Sequence, residues 1–142
     1  MDLALDFGTP EHGWLDVTLR LGDAVWTDNV SDVPCDSLGD LARALVGLAS
    51  GGGEQRVAWS LEPAWATWVL RPEADALVVT VLDGDRTLWS RRCPREAVLR
   101  VCLQGLDRLG ADPAWARTDA DRTVWSWPLP ADSLARLWAR IA

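Results

Sequence analysis

The chain reads as an α+β protein: an antiparallel sheet of about six to seven strands, with three helices packed on one face. Three observations predict it. Short runs alternate apolar and polar residues, the period of a half-buried strand. Hairpin-length turns join most of them, and such turns require antiparallel pairing. Three longer segments carry apolar residues at helical spacing. No glycine-rich strand-to-helix turn is present, which argues against a doubly wound nucleotide-binding fold.

Leu3, Leu5 and Phe7 alternate with Ala4 and Asp6 as a first short strand, followed by a Gly/Pro loop over 8–13. From Trp14, the residues Leu15, Val17, Leu19 and Leu21 alternate with Asp16, Thr18 and Arg20, the clearest strand of the chain. Gly22-Asp23 turns it into a return strand over Ala24–Thr27, and Asp28–Asp36 reads as loop. Ser37 with Asp40 resembles a capping box, and Leu38, Leu41, Leu45 and Leu48 give the first helix its stripe before Gly51-Gly52-Gly53 stops it.

A four-strand meander follows. It runs through Val57–Leu61, Trp65–Arg71, Leu77–Leu82 and Thr87–Arg92, with turns at Glu62-Pro63, Pro72–Asp75 and Asp83-Gly84-Asp85. Pro94 suits the first position of a second helix, whose stripe is Val98, Leu99, Cys102, Leu103, Leu106 and Leu109 and whose end is Gly110. Residues 111–122 read as polar loop and Val124–Trp127 as a short strand. Pro130 opens a last helix with Leu134, Leu137, Trp138 and Ile141 on one side. No linker or repeat divides the chain, so residues 1–142 form one domain.

Composition narrows the function classes. The formal net charge is −7, and it is unevenly placed. Residues 1–50 hold nine acids against two arginines, whereas acids and arginines balance in the remainder. An acidic surface disfavours nucleic acid and anionic membrane, because phosphate contacts need positive potential; it suits a basic partner. No apolar run is long enough to span a membrane and no basic leader precedes an apolar stretch, which places the chain in the cytoplasm by default. Three widely spaced cysteines argue against a disulfide framework or a metal knuckle. His12 is the single histidine, in an exposed-type loop, and no metal or cofactor is expected.

The aromatic skew is stronger than the charge skew: ten tryptophans, one phenylalanine and no tyrosine. Lysine is absent as well, with one Ile and one Asn, as a G/C-rich genome would give, so part of the skew is codon bias. Trp59, Trp68 and Trp138 sit on apolar faces and are expected in the core. Trp14, Trp65 and Trp89 fall on the opposite strand phase, Trp115 in polar loop, and Trp125 and Trp127 on one face of an extended stretch. Exposed tryptophans make interface anchors or stacking platforms. The residues expected to bind a partner are Asp16, Asp23, Asp28 and Asp32 with Trp14, Trp65, Trp125 and Trp127.

No catalytic constellation is visible. The one candidate nucleophile is Cys93, before a helix start and among Arg91, Arg92 and Arg95, features that lower a thiol pKa. A small-ligand or carbohydrate site on Trp14, Trp65, Trp125 or Trp127, and a symmetric homodimer through the tryptophan face, are the other readings.

The Asp36–Leu45 helix, the Trp59–Pro72 segment with its Glu62-Pro63 turn, and Trp125-Ser126-Trp127-Pro128-Leu129-Pro130 before the closing helix resemble small acidic bacterial α+β proteins, some of which are immunity proteins of polymorphic toxin systems. The resemblance implies a non-enzymatic protein that neutralises a toxin partner, and it carries over no binding residue.

Overall fold

The computed structural model describes residues 1–118 and 123–141. Seven strands form one antiparallel sheet in sequence order: β1 (Leu3–Phe7), β2 (Trp14–Leu21), β3 (Ala24–Ser31), β4 (Gln55–Ser60), β5 (Trp65–Glu73), β6 (Ala76–Asp83) and β7 (Arg86–Pro94). Helix α1 (Ser37–Ala49) joins β3 to β4, and α2 (Arg95–Gly110), α3 (Pro113–Thr118) and α4 (Ala131–Ile141) follow the sheet. The α+β class and the strand order are those expected from the sequence. The expected loop over 111–122 contains α3, and its residues 119–122 lie outside the described residues. The expected strand at Val124–Trp127 is a turn and bend instead.

Side-chain alternation places Leu15, Val17, Leu19 and Leu21 on the buried face of β2, and Ala24, Trp26 and Val30 on that of β3. The two strands pair along their whole length. By contrast, β3 meets β4 at one pair, Ser31 with Ser60. Beyond that pair the sheet turns back on itself. Trp26 of β3 lies 6.1 Å from Trp59 of β4 and 5.5 Å from Trp68 of β5, and the latter two are 4.9 Å apart. From β7, the Trp89 indole donates to the Val25 carbonyl at 3.2 Å, and Arg91 reaches Asp23 at 3.1 Å. The β4–β7 half thus packs its inner face on the β1–β3 half, with three tryptophans between them. The indole N–H groups of Trp59 and Trp68 find no acceptor among the described residues, so ring packing holds this cluster.

Trp89 stands on the inner phase, not the outer one expected. It pairs with the buried Val81, because a bulge between Val81 and Leu82 leaves Leu88 as an extra residue and shifts the phase. Trp138, expected in the core, is 38% exposed, while Leu134 and Leu137 carry the buried stripe of α4.

Helix α1 starts one residue earlier than the capping box suggests. Asp36 is the cap, accepting from the Gly39 N–H at 3.0 Å, and burial pushes its carboxyl up against the opposing pull of that N–H and of Arg43. Ser37 instead donates its hydroxyl to the Ala58 carbonyl at 2.6 Å, tying α1 to β4. Helix α2 closes the edge of β1. Arg108 donates to the Leu5 carbonyl at 2.9 Å, and Gly105 lies so close that a Cβ there would sit 2.5 Å from the same oxygen.

Candidate binding surface

Strand β3 separates two grooves. The first lies over the start of β2 and the loop before it, has a volume of about 330 Å³, and is lined by Thr9, Glu11, His12, Trp14, Asp16 and Asn29. Trp14, Asp16 and Asn29 share the outer strand phase, since Asp16 pairs with Asn29 and Trp14 with Ser31. The Asn29 amide donates to the Asp16 carboxylate at 2.9 Å, which fixes both side chains in the groove. His12 lies 3.8 Å from Glu11, both strongly exposed.

The second groove opens where β3 parts from β4. Its volume is about 240 Å³, and Val25, Trp26, Thr27, Asp28, Leu61, Ala66, Asp83 and Leu88 line it. Both of its carboxylates occupy inward positions. Asp28 lies between the buried Trp26 and Val30 and pairs with Val17; Asp83 follows the buried Val81 and pairs with Ala66. Strand alternation calls for apolar residues at both places. The two grooves together present Glu11, Asp16, Asp28 and Asp83, and among the described residues no arginine lines either. Arg86 touches Asp83 from outside at 3.4 Å, an exposed pair of little strength.

A third feature joins the two halves. The pairs Trp14–Ser31, Ser31–Ser60 and Ser60–Trp65 form one row across four strands, so that two half-buried tryptophans flank two buried serines on the same face.

Of the residues expected to bind a partner, Trp14 and Asp16 meet in the first groove, Asp28 lies in the second, and Trp65 stands at the far end of the tryptophan row. Asp23 is exposed but paired with Arg91. The other three serve the fold, which corrects their assignment to the surface. Asp32 is 6% exposed and accepts from the backbone N–H and the hydroxyl of Ser126, each at 2.7 Å. Trp127 donates its indole N–H to the Asp32 carbonyl at 2.6 Å. Trp125 is fully buried, 6.3 Å from Trp115 of α3. Asp83, Trp26, Leu88 and Asn29 belong to the grooves and escaped the sequence reading. The signal available was an acid on the inward phase of an apolar strand, which at Asp83 is masked by the turn motif that follows it.

Cys93 does not have the activated thiol its neighbours suggest. Its side chain is buried, and burial pushes the thiol up more strongly than Arg91 pulls it down. Its Sγ faces the Met1 sulfur at 3.6 Å. Cys102, sealed under α2, is pushed up to about 12 by burial. Among the described residues no three His, Cys, Asp or Glu side chains gather as metal ligands, and no helix is long and apolar enough to cross a membrane. Comparison with family models, with curated proteins and with solved structures finds no match.

Proposed function

We propose that this chain is a non-enzymatic binding module of the cytoplasm that captures a basic protein partner on the surface flanking β3. The observation that carries the reading is the pair of grooves that share one strand, hold four carboxylates and have no arginine among their described lining residues. Most other first-third acids are already engaged: Asp6 with Arg108, Asp23 with Arg91, Asp40 with Arg43, Asp32 with Ser126 and Asp36 at a helix cap. The groove carboxylates have only local or exposed partners, so their charge speeds encounter with a cationic surface, and the Trp14 indole in the first groove supplies an anchor of the kind that dominates interface energies. The resemblance to immunity proteins makes a toxin domain the partner of choice.

The test is recovery of the tagged chain from its native host, beside a Glu11→Arg/Asp16→Arg variant. The expected result is one stoichiometric basic protein, released by salt and absent from the variant. Expressed alone it arrests growth, and the wild-type chain but not the variant relieves the arrest. Clean monomer at every ionic strength, or a partner indifferent to charge reversal, overturns the proposal.

A second reading rests on the first groove alone. Trp14 beside the Asp16–Asn29 pair offers a stacking face next to fixed hydrogen-bonding groups, which suits a sugar. Glycans that change tryptophan fluorescence in the wild type and not in Trp14→Phe would favour it over the protein partner.

A further inference from the structure

We infer that the groove between β3 and β6 is a pocket for one alkylammonium group, a lysine side chain of the partner. The inference deepens the proposed function and rests on it for the source of the lysine, but the pocket chemistry stands on the groove itself.

The argument starts from the backbone. In an antiparallel strand, the N–H and C=O of one residue point to the same side, and alternate residues point to the same neighbour. Ser31 faces β4, since it pairs with Ser60, and the Val25 carbonyl faces away from β2, since it accepts from Trp89. Thr27, between them in the same phase, therefore turns its N–H and C=O toward the groove. Among the described residues no strand pairs with it there, because β3 meets β4 at the single pair Ser31 with Ser60.

The groove is thus lined by three residues that carry acceptors: Asp28 on β3 and Asp83 on β6 with their carboxylates, and Thr27 on β3 with its unpaired backbone carbonyl. Asp28 accepts from its neighbour Asn29 N–H through one oxygen, which leaves the other free. An ammonium carries three donors and no acceptor, and so matches this set. Trp26, Leu61, Ala66 and Leu88 give the walls that a four-carbon stem covers. A guanidinium is planar, with five donors in a fixed fork, and fits less well acceptors carried singly on three separate residues. An anion is repelled, and a neutral alkyl group leaves two carboxylates to be desolvated without compensation.

The experiment is amide NMR titration of the whole chain with n-butylammonium at low salt, beside n-butylguanidinium and 1-butanol. Saturable shifts are expected at Thr27, Asp28, Leu61 and Ala66, and not at Glu11 or His12. Binding should be at least fivefold weaker for butylguanidinium and non-saturating for butanol. Asp28→Asn and Asp83→Asn should each weaken it fivefold or more, and Arg86→Ala, which frees Asp83 from its competing cation, should tighten it. No saturable shift, or equal binding of the guanidinium or the alcohol, overturns the inference. The ligand series on the wild type decides even where a variant misfolds. A failed titration with an intact Glu11- and Asp16-dependent complex removes the pocket and leaves the binding module. A successful titration with no partner does the reverse.

Discussion

Two parts of the β1–β3 layer are finished in opposite ways. In the closed part the chain seals itself. Asp32 is buried under Ser126 and Trp127, and the edge of β1 is sealed by Arg108 and Gly105 of α2. In the open part β3 parts from β4 after one pair, and its flank from Val25 to Asn29 faces two grooves whose carboxylates meet no arginine among the described lining residues. Both parts are drawn from the same acidic third of the sequence. An acid that is buried and satisfies donors from distant parts of the chain is structural, and one left facing a groove with only a neighbouring donor is available to something else. Perturbing the closed part should cost stability, and perturbing the open part should cost only binding.

The largest effect should come at high pH, through the seal. The thiol of Cys102 lies in the α2 stripe, with a pKa raised from 9.0 in the free group to about 12 in the fold. The unfolded chain therefore releases this proton first. Stability is fully present below about pH 9 and falls as pH rises toward 12, at a limiting slope of ~1.4 kcal/mol per pH unit. Cys93, also raised, acts in the same direction. The chain has no lysine and no tyrosine, so few other groups titrate in this window. Urea melts from pH 8 to 11 should show the decline, and Cys102→Val should flatten it. An unchanged slope in the variant would place the alkaline weakness outside the α2 seal.

Next is Asp32→Ala. The substitution removes the acceptor of two 2.7 Å bonds and leaves a Ser126 N–H to find another in a part-buried place, at a cost of about 3 kcal/mol. Chemical denaturation measures it, and a loss below about 1 kcal/mol would mean that this part is not held as its bonds suggest. Gly105→Ala should follow at roughly 1–3 kcal/mol, since the added methyl must push α2 off the Leu5 carbonyl. Hydrogen exchange should localise that loss to β1 and α2.

This division was partly legible in the sequence. Alternation in β2, β4 and β5 marks those strands because one face is buried along each of them, a continuous apolar run marks β6, and the leucine stripes mark α1 and α2. The sequence also drew attention to Trp14, Asp16 and Asp28, which do line the grooves. What escaped it depends on distant partners. The role of Asp32 is set by a residue 94 positions away. Trp125 reads as a surface residue because α3, whose Trp115 packs beside it, is only six residues long and carries no apolar stripe that the sequence could show. A single bulge reversed the phase of Trp89. At Cys93 the arginines are visible in the sequence and the burial that outweighs them is not.

The smallest expected effect separates the two parts most sharply. Asp28→Asn keeps the size of the side chain and removes its charge from a position that faces a groove. Among the described residues the one hydrogen bond given up or weakened is the local one from the Asn29 N–H at 3.0 Å. Stability should change by less than about 0.5 kcal/mol, and in either direction, since an inward carboxylate held by one neighbouring N–H contributes little within the chain. Asp32→Asn, the same chemistry four residues along the chain and just past the end of β3, should be clearly destabilising, because there the charge serves two donors at once. The pair of variants is best measured side by side by urea denaturation at pH 7. If Asp28→Asn costs as much as Asp32→Asn, then Asp28 belongs to the closed part of the layer and the second groove loses its claim on a ligand. If it is silent in stability and abolishes alkylammonium binding, the carboxylate is kept at that inward position for what it holds.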